Sequence, residues 1–412
     1  MKRWFNQFTK TTLIVTAAAG LLAGCGSSGG KVTIVWWFND KNQQPALEQI
    51  AKDFMKQNPN IKVDAELQNG QTYYTQLQTV LAAHSGPDVF WMNGPNFLGF
   101  ENKGFFAPLN VNLNWNNYPK NLVGMYSVNG THYAVPKDYD TIGLFYNKAL
   151  FDKAHIPYPT NNWTWNDVRA AAKKLTIAGK QWGIADENSS QEVEYPLMVS
   201  AGSQIISKDK KSVDVDSTSS LKAIQFLYDL MYVDKSAPTG QWQTDNDPYQ
   251  AFMSGEIAMI TAGDWNAHPF YQALGNKVGV VKFPEFDGHY GNIIHGIGWV
   301  VNANSKQKAA DMKFEEYLGS KAAALTQADT GTVIPAYNGT QEPWVKSMKG
   351  FSNLQIFLDQ AKYATAYPTG PNAQWESALT THFTNIWLNK ETPEQGLKAA
   401  QQEADQALQS SN

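Results

Sequence analysis

The chain has 412 residues, with 33 basic against 37 acidic side chains, one cysteine, 17% charged residues and 13% aromatic residues, 14 of them tryptophan. The slight acid excess, with lysines scattered singly among acids and amides, excludes binding to phosphate backbones, which needs a basic patch. A lone cysteine excludes a disulfide framework, and the length exceeds what one hydrophobic core usually organises, which favours two domains.

Residues 1–10, MKRWFNQFTK, are basic without a single acid and lead into the apolar run TTLIVTAAAGLLAG. That run meets Gly24 and Cys25 well before the ~20 residues a membrane span requires. Residues 1–24 therefore read as a signal peptide. Leu22-Ala23-Gly24-Cys25 resembles a lipobox, in which the cysteine becomes the first mature residue and carries lipid. Each buried methylene adds about 0.8 kcal/mol of membrane affinity, so several chains on Cys25 would anchor a soluble domain. Gly26 to Gly30 is a flexible tether. Loss of Lys2, Arg3 and Lys10 leaves 30 basic against the 37 acidic side chains.

The fold begins at Lys31. VTIVWWF, residues 32–38, is an unbroken apolar run that predicts a strand covered on both faces, ending at Asn39-Asp40-Lys41. A helix follows, with Leu47, Ile50, Ala51, Phe54 and Met55 at helical spacing, Pro45 near its start and Asn58-Pro59 at its end. IKVDAEL alternates as a strand. A second helix carries Tyr74, Leu77, Val80 and Leu81, and Gly86-Pro87 turns into the strand DVFWM, residues 88–92. This alternation predicts a parallel α/β sheet. Ligands of such sheets bind outside the carboxyl ends of the strands, which singles out Asn39, Asp40, Lys41 and Asn93.

YAVPKDYDTIGLFY, residues 133–146, holds two apolar stretches interrupted by Lys137-Asp138-Tyr139-Asp140, the pattern of a crossing between lobes. Thr164 caps WNDVRAAAKKL, with Asp167 in the capping-box position, and Trp163 and Trp165 are read as structural. A helix is expected over about 217–233. Residues 245–254 lead into GEIAMITAGDW, 284–292 are loop, HGIGWVV returns as a strand, and Ala310, Phe314, Tyr317 and Leu318 mark a helix. Thr392 and Gln395 make a capping box around Pro393, followed by Leu397, Ala400, Ala404 and Leu408 on one face. There is no internal repeat and no low-complexity block.

The catalytic patterns are missing. MVSAGS at 198–203 lacks the G-x-S-x-G elbow of α/β hydrolases, no phosphate-cradling loop is present, and the seven histidines never fall at metal-ligand spacing. No metal and no cofactor are expected. Tyr73-Tyr74 as iron ligands gives way to the helical pattern, which turns Tyr74 to the core. A glycosidase needs two carboxylates roughly 5–10 Å apart, which leaves Asp140, Glu192, Glu194 and Asp264 open as candidates. Abundant aromatics and amides with few charges suit a neutral polar ligand such as a sugar, whose C–H face stacks on rings.

Taken in order, VTIVWWF, NPNIKV, LAAHSGPDVFWMN, YAVPKDYDTIGLFYNKALFDKAHIPYP, WTWNDVRAAAKKLT, AFMSGEIAMITAGDW and HGIGWVVNANSK resemble the family 1 extracellular solute-binding proteins, sugar-binding lipoproteins of ABC importers related to maltose-binding protein. The resemblance implies a two-lobe, periplasmic-binding-protein-like α/β fold of type II, each lobe a mixed sheet flanked by helices, whose hinged closure on a ligand is presented to a membrane permease. It places lobe 1 at 31–138 and 298–336 and lobe 2 at 143–292 and 340–412, with hinge segments near 139–142, 293–297 and 337–339. Matched position by position, it makes Asp40, Lys41 and Asn93 polar ligand contacts and Asp140 an acidic contact at the crossing. Asp264 and the stacking ring Trp265 come from the GDW motif. Trp375 near the start of the penultimate helix supplies another aromatic, Trp299 a further one, and Tyr195, or its neighbours Glu192 and Glu194, faces the cleft from lobe 2. Neighbours on a strand face opposite ways, so one of Trp36 and Trp37 reaches the cleft, and Trp37 is taken as that one. The chain departs from the family where His295-Gly296-Ile297-Gly298-Trp299 replaces a paired glycine.

The expectation is thus a monomeric carbohydrate-binding lipoprotein without catalytic activity, serving an ABC permease. It is held by lipid alone on the extracytoplasmic face of the cell membrane, at the outer surface of a Gram-positive cell. The alternatives are a secreted carbohydrate-active hydrolase, which needs a catalytic carboxylate pair in the cleft, and a surface lectin lipoprotein, which needs no hinge.

Overall fold

The computed structural model describes residues 31–70, 72–186, 189–351 and 353–410. The segments read as a signal peptide and a Gly-Ser tether, with Cys25 between them, lie outside the described residues.

The first third of the chain alternates strand and helix: β1 (Val32–Phe38), α1 (Gln44–Gln57), β2 (Ile61–Leu67), α2 (Tyr73–Ala82), β3 (Val89–Asn93) and α3 (Gly94–Glu101). β1 pairs in parallel with both β2 and β3. Pro45 sits in the first turn of α1, where its missing N–H leaves no bond unmade, and the helix buries Leu47, Ile50, Ala51 and Phe54. In α2 the core face is Tyr73, Leu77 and Leu81, one residue off the expected Tyr74. Steps of four from Leu77 land on Tyr73, whose hydroxyl donates to the Trp91 carbonyl at 2.9 Å.

Two later segments complete this sheet from far along the chain. Residues 297–301 pair antiparallel with β3, and residues 134–136 pair antiparallel with 297–301, giving a mixed five-stranded sheet. The second sheet is an antiparallel ladder with 142–147 between 259–263 and 278–282. The segment 182–185 joins it through parallel bridges at Trp182–Ile257 and Ala185–Ile260, so this lobe is mixed as well. Around it pack the helices 165–175, 218–232 and the hairpin of 374–387 with 393–409. Both capping boxes read from spacing form, Thr164 with Asp167 and Thr392 with Gln395.

The result is a two-lobe α/β fold with one apolar core in the first lobe and two in the second, one on each face of its sheet, the second of which reaches Tyr118, Leu122 and Val135 of the first lobe. The chain passes between sheets three times. It leaves the first sheet after Pro136 and enters the second at Ile142; it returns between Ile294 and Ile297; and it passes once more beyond Ile334–Pro335, which pairs with Asp138–Tyr139. The first two crossings are stitched together by the bridge Asp140–His295, with Asp140 N–H donating to the His295 carbonyl at 2.9 Å. Among the described residues no helix is long and apolar enough to cross a membrane.

Candidate ligand-binding site

Strand ends of both sheets converge on the crossings. β1 ends two residues before Asp40, β3 ends at Asn93, and strand 259–263 runs into Asp264-Trp265. Two adjoining cavities open there, one of about 200 Å³ and one of about 820 Å³.

The smaller cavity gathers Asp40 and Gln43 after β1, Trp91 of β3, Asp138 to Asp140 and His295 of the crossings, and Asp264 and Trp265 of the second lobe. Its hydrogen bonding is largely built before any ligand arrives. Asp40 accepts from Asn42 N–H and from the Gln43 amide, both at 2.8 Å. Lys137 is fully buried; its Nζ donates to Gln43 Oε1 and Asp138 Oδ2 and lies 5.1 Å from the Trp91 ring centroid, a cation–π distance. Asp138 Oδ1 accepts from Ile297 N–H at 2.9 Å. Asp140 holds Gln191 on one oxygen and His295 Nδ1 on the other, each at 2.9 Å. His295 Nε2 is buried without a hydrogen-bond partner among the described residues. Asp264 accepts from Thr141 N–H at 3.2 Å, and burial, then the neighbouring Asp140 carboxylate, push it well above the usual carboxylate range.

Trp265 lies over Gly263 so closely that a Cβ built there would stand 1.9 Å from the ring's Cζ3. Only glycine leaves the ring that position. Behind it, Glu192 pins the end of the strand by accepting from Gly263 N–H at 3.1 Å.

The larger cavity is polar and walled by both lobes: Asn93 and Asn96 on one side, Gln191, Glu194, Glu376 and the threonines of helix 374–387 on the other. Asn93 also caps α3, its Oδ1 accepting from Asn96 N–H at 3.2 Å. Glu194 accepts from Trp387 Nε1 at 2.6 Å and Ser190 Oγ at 2.8 Å, and burial lifts its pKa to about 7. Glu376 accepts from the hydroxyls of Tyr367 and Tyr195 and is likewise raised by burial.

Of the residues singled out from sequence, Asp40, Asp140, Asp264 and Trp265 meet in the smaller cavity, and Asn93 and Glu194, the latter named beside Tyr195, stand in the larger. Lys41, Trp37, Trp299, Trp375, Tyr195 and Glu192 lie off these walls. Lys41 is exposed on its turn, and Gln43 is the residue there that reaches the cavity. Trp36 points into the first core and Trp37 to the opposite face, where its indole donates to Glu66 at 2.7 Å. Trp299 is fully buried, 4.8 Å from Trp36 centroid to centroid, and Trp91, opposite it in the ladder, takes the wall. Trp375 is buried in the second core against Gly370, and Tyr195 is fully buried behind Tyr367. Gln43, Trp91, Gln191, Glu376 and Tyr367 were not anticipated; a glutamine opening an amphipathic helix is the one local signal among them. Among the described residues no group of three or more His, Cys, Asp or Glu side chains is placed to hold a metal ion.

The sequence profile described as bacterial extracellular solute-binding protein matches residues 40–325, well over half of the chain. A galactooligosaccharide-binding protein of Bacillus subtilis (strain 168) is 24% identical over 421 aligned positions, covering 96% of both chains. A maltodextrin-binding protein of the same organism is 22% identical over 94% of this chain and 92% of its own. Among solved structures, an ABC substrate-binding protein of Listeria monocytogenes in complex with cycloalternan superposes with a TM-score of 0.86 at 26% identity, covering 92% of this chain and 99% of that one.

Proposed function

Because the chain belongs to the bacterial extracellular solute-binding proteins, we propose that it captures a carbohydrate, a sugar or oligosaccharide, between its lobes and delivers it to the permease of an ABC importer. The observation that carries this reading is a single cavity that sets the ring of Trp265 from one lobe against Asp40 of the other and Asp140 of the crossing. An aromatic face suits the C–H side of a sugar ring, and carboxylates accept from its hydroxyls. The proteins named above as binding galactooligosaccharide, maltodextrin and cycloalternan support the class of ligand.

Each lobe supplies part of the contact set, so ligand favours the closed form by touching both at once. The lobes are 31–138 with 298–336 and 143–292 with 340–412, and the hinges lie near 139–142, 293–297 and 337–339. Discrimination among sugars rests on Asp40, Asn93 and Asp140, since a hydroxyl buried without a partner costs affinity. The family is one of binding proteins, and this chain does no chemistry on its ligand. It acts outside the cytoplasm as a monomer, anchored through lipid on Cys25 at the outer surface of a Gram-positive cell.

A thermal-shift panel of mono-, di- and oligosaccharides on the chain from residue 26, each followed by product analysis, tests this. Ligand at a hundred times its dissociation constant stabilises by about 2.7 kcal/mol, a readable shift. A shift with one sugar class and no product is the expected result. Cleavage would make the protein a hydrolase, and no shift with any sugar would remove carbohydrate from consideration.

A further inference from the structure

The two cavities share one wall residue, Gln191. It stands on the π-helical turn Ser190–Glu194, a local widening of the helix of a kind that recurs at functional sites. Its Nε2 crosses to Asp140 Oδ1 at 2.9 Å, which closes the boundary between the rooms. The rooms differ in kind. The smaller, at about 200 Å³, falls below the roughly 300–1,000 Å³ of pockets that bury drug-sized ligands, whereas the larger, at about 820 Å³, lies within that range. The small room is mainly apolar around Trp91 and Trp265; the large one adds amides, hydroxyls and two carboxylates to the rings of Tyr367, Phe383 and Trp387.

We propose that Gln191 is a specificity-determining gate for ligand length, an inference that rests on the sugar-capture reading above. Bonded to Asp140, it confines a ligand to a single room. Swung off Asp140, it admits a chain that spans both, and hydroxyls of that chain take over the freed amide and carboxylate oxygen. The turn does not depend on this side chain for its own shape. Glu192 accepts from Gly263 N–H and Tyr249, and Glu194 from Trp387 and Ser190, so the backbone stays fixed while the gate moves.

The test compares wild type with Gln191→Ala and Gln191→Glu by calorimetry, using glucose against maltotriose and galactose against β-1,4-galactotriose. Gln191→Ala removes the gate, and Gln191→Glu holds it open by setting a carboxylate against Asp140. In both variants the preference for trisaccharide over monosaccharide is expected to rise at least tenfold, the monosaccharide losing its cover and the trisaccharide keeping its contacts. A ratio within twofold of wild type in both variants, whether or not absolute affinity falls, would overturn the gate and make Gln191 an ordinary contact. If the wild type binds no sugar of the thermal-shift panel, these four included, the sugar reading itself fails and the gate with it.

Discussion

Gly263 and Trp265 act as a pair: the glycine has no side chain because the indole occupies the space one would fill. Trp265→Ala is expected to lower sugar affinity more than tenfold while leaving the circular-dichroism spectrum unchanged. Gly263→Ala should reproduce most of that loss by pushing the ring out of place. Calorimetry on both variants checks this, and unaltered affinity in Trp265→Ala would remove the ring from the site. Glu194 sets a pH dependence. Its folded pKa, raised by burial to about 7, lies above the ordinary carboxylate value, so between about pH 4.5 and 7 the folded state holds a proton that the unfolded chain has released. Stability from this group is therefore complete below about pH 4.5 and falls as pH rises to 7, by about 3 kcal/mol in all. Glu194→Gln should flatten that part of the melting-temperature profile of the unliganded protein between pH 5 and 8. Asp40, Asp140, Asp264 and Trp265 were legible in the sequence because each follows an apolar run at a strand end or marks the break between two. Trp299 was not. Inside HGIGWVV its facing depends on the register that puts it opposite Trp91, and register is a property of two distant segments.

At the scale of the element, periodicity and punctuation carried far. The two capping boxes and the proline opening helix 393–409 form where spacing predicts. Thr392→Ala should destabilise the protein by about 1 kcal/mol in chemical denaturation, since a side-chain acceptor for the first turn is lost. Sugar affinity should hold, because that helix supports helix 374–387 from behind while the latter's Glu376 and Thr380 face the larger cavity. The π-helical turn 190–194 left no comparable trace. Its form is tied to Glu192 and Glu194 reaching Gly263, Tyr249 and Trp387, partners between 57 and 193 residues away. Of the second lobe's strands, the apolar stretches at 142–147 and 259–263 stood out in the sequence, while strand 278–282 and the parallel bridges that bring 182–185 beside the sheet did not.

At the scale of the whole molecule, the chain links the lobes through the crossings, and a side-chain hydrogen bond joins them at the rim. There Asn102 Nδ2 donates to the Pro371 carbonyl at 2.8 Å, between exposed or half-buried residues. Small-angle scattering should show a smaller radius of gyration with saturating sugar than without. Asn102→Ala should leave the unliganded radius larger and weaken binding several-fold without touching the cavity walls. An identical radius in all states would mean that the lobes do not hinge.

The insertion of residues 297–301 between β3 and 134–136 also governs how this chain can be made. A nascent chain that has emerged only as far as residue 290 holds β1, β2 and β3 but lacks the strand that joins 134–136 to them, so the first lobe has an open edge and no closed core. Contacts between such distant segments form slowly. Closure of the first lobe's sheet therefore waits until residues 297–301 have been made, nearly three quarters of the way along the 412-residue chain. Truncation before that point leaves the first lobe unable to close, however much of its own sequence is present.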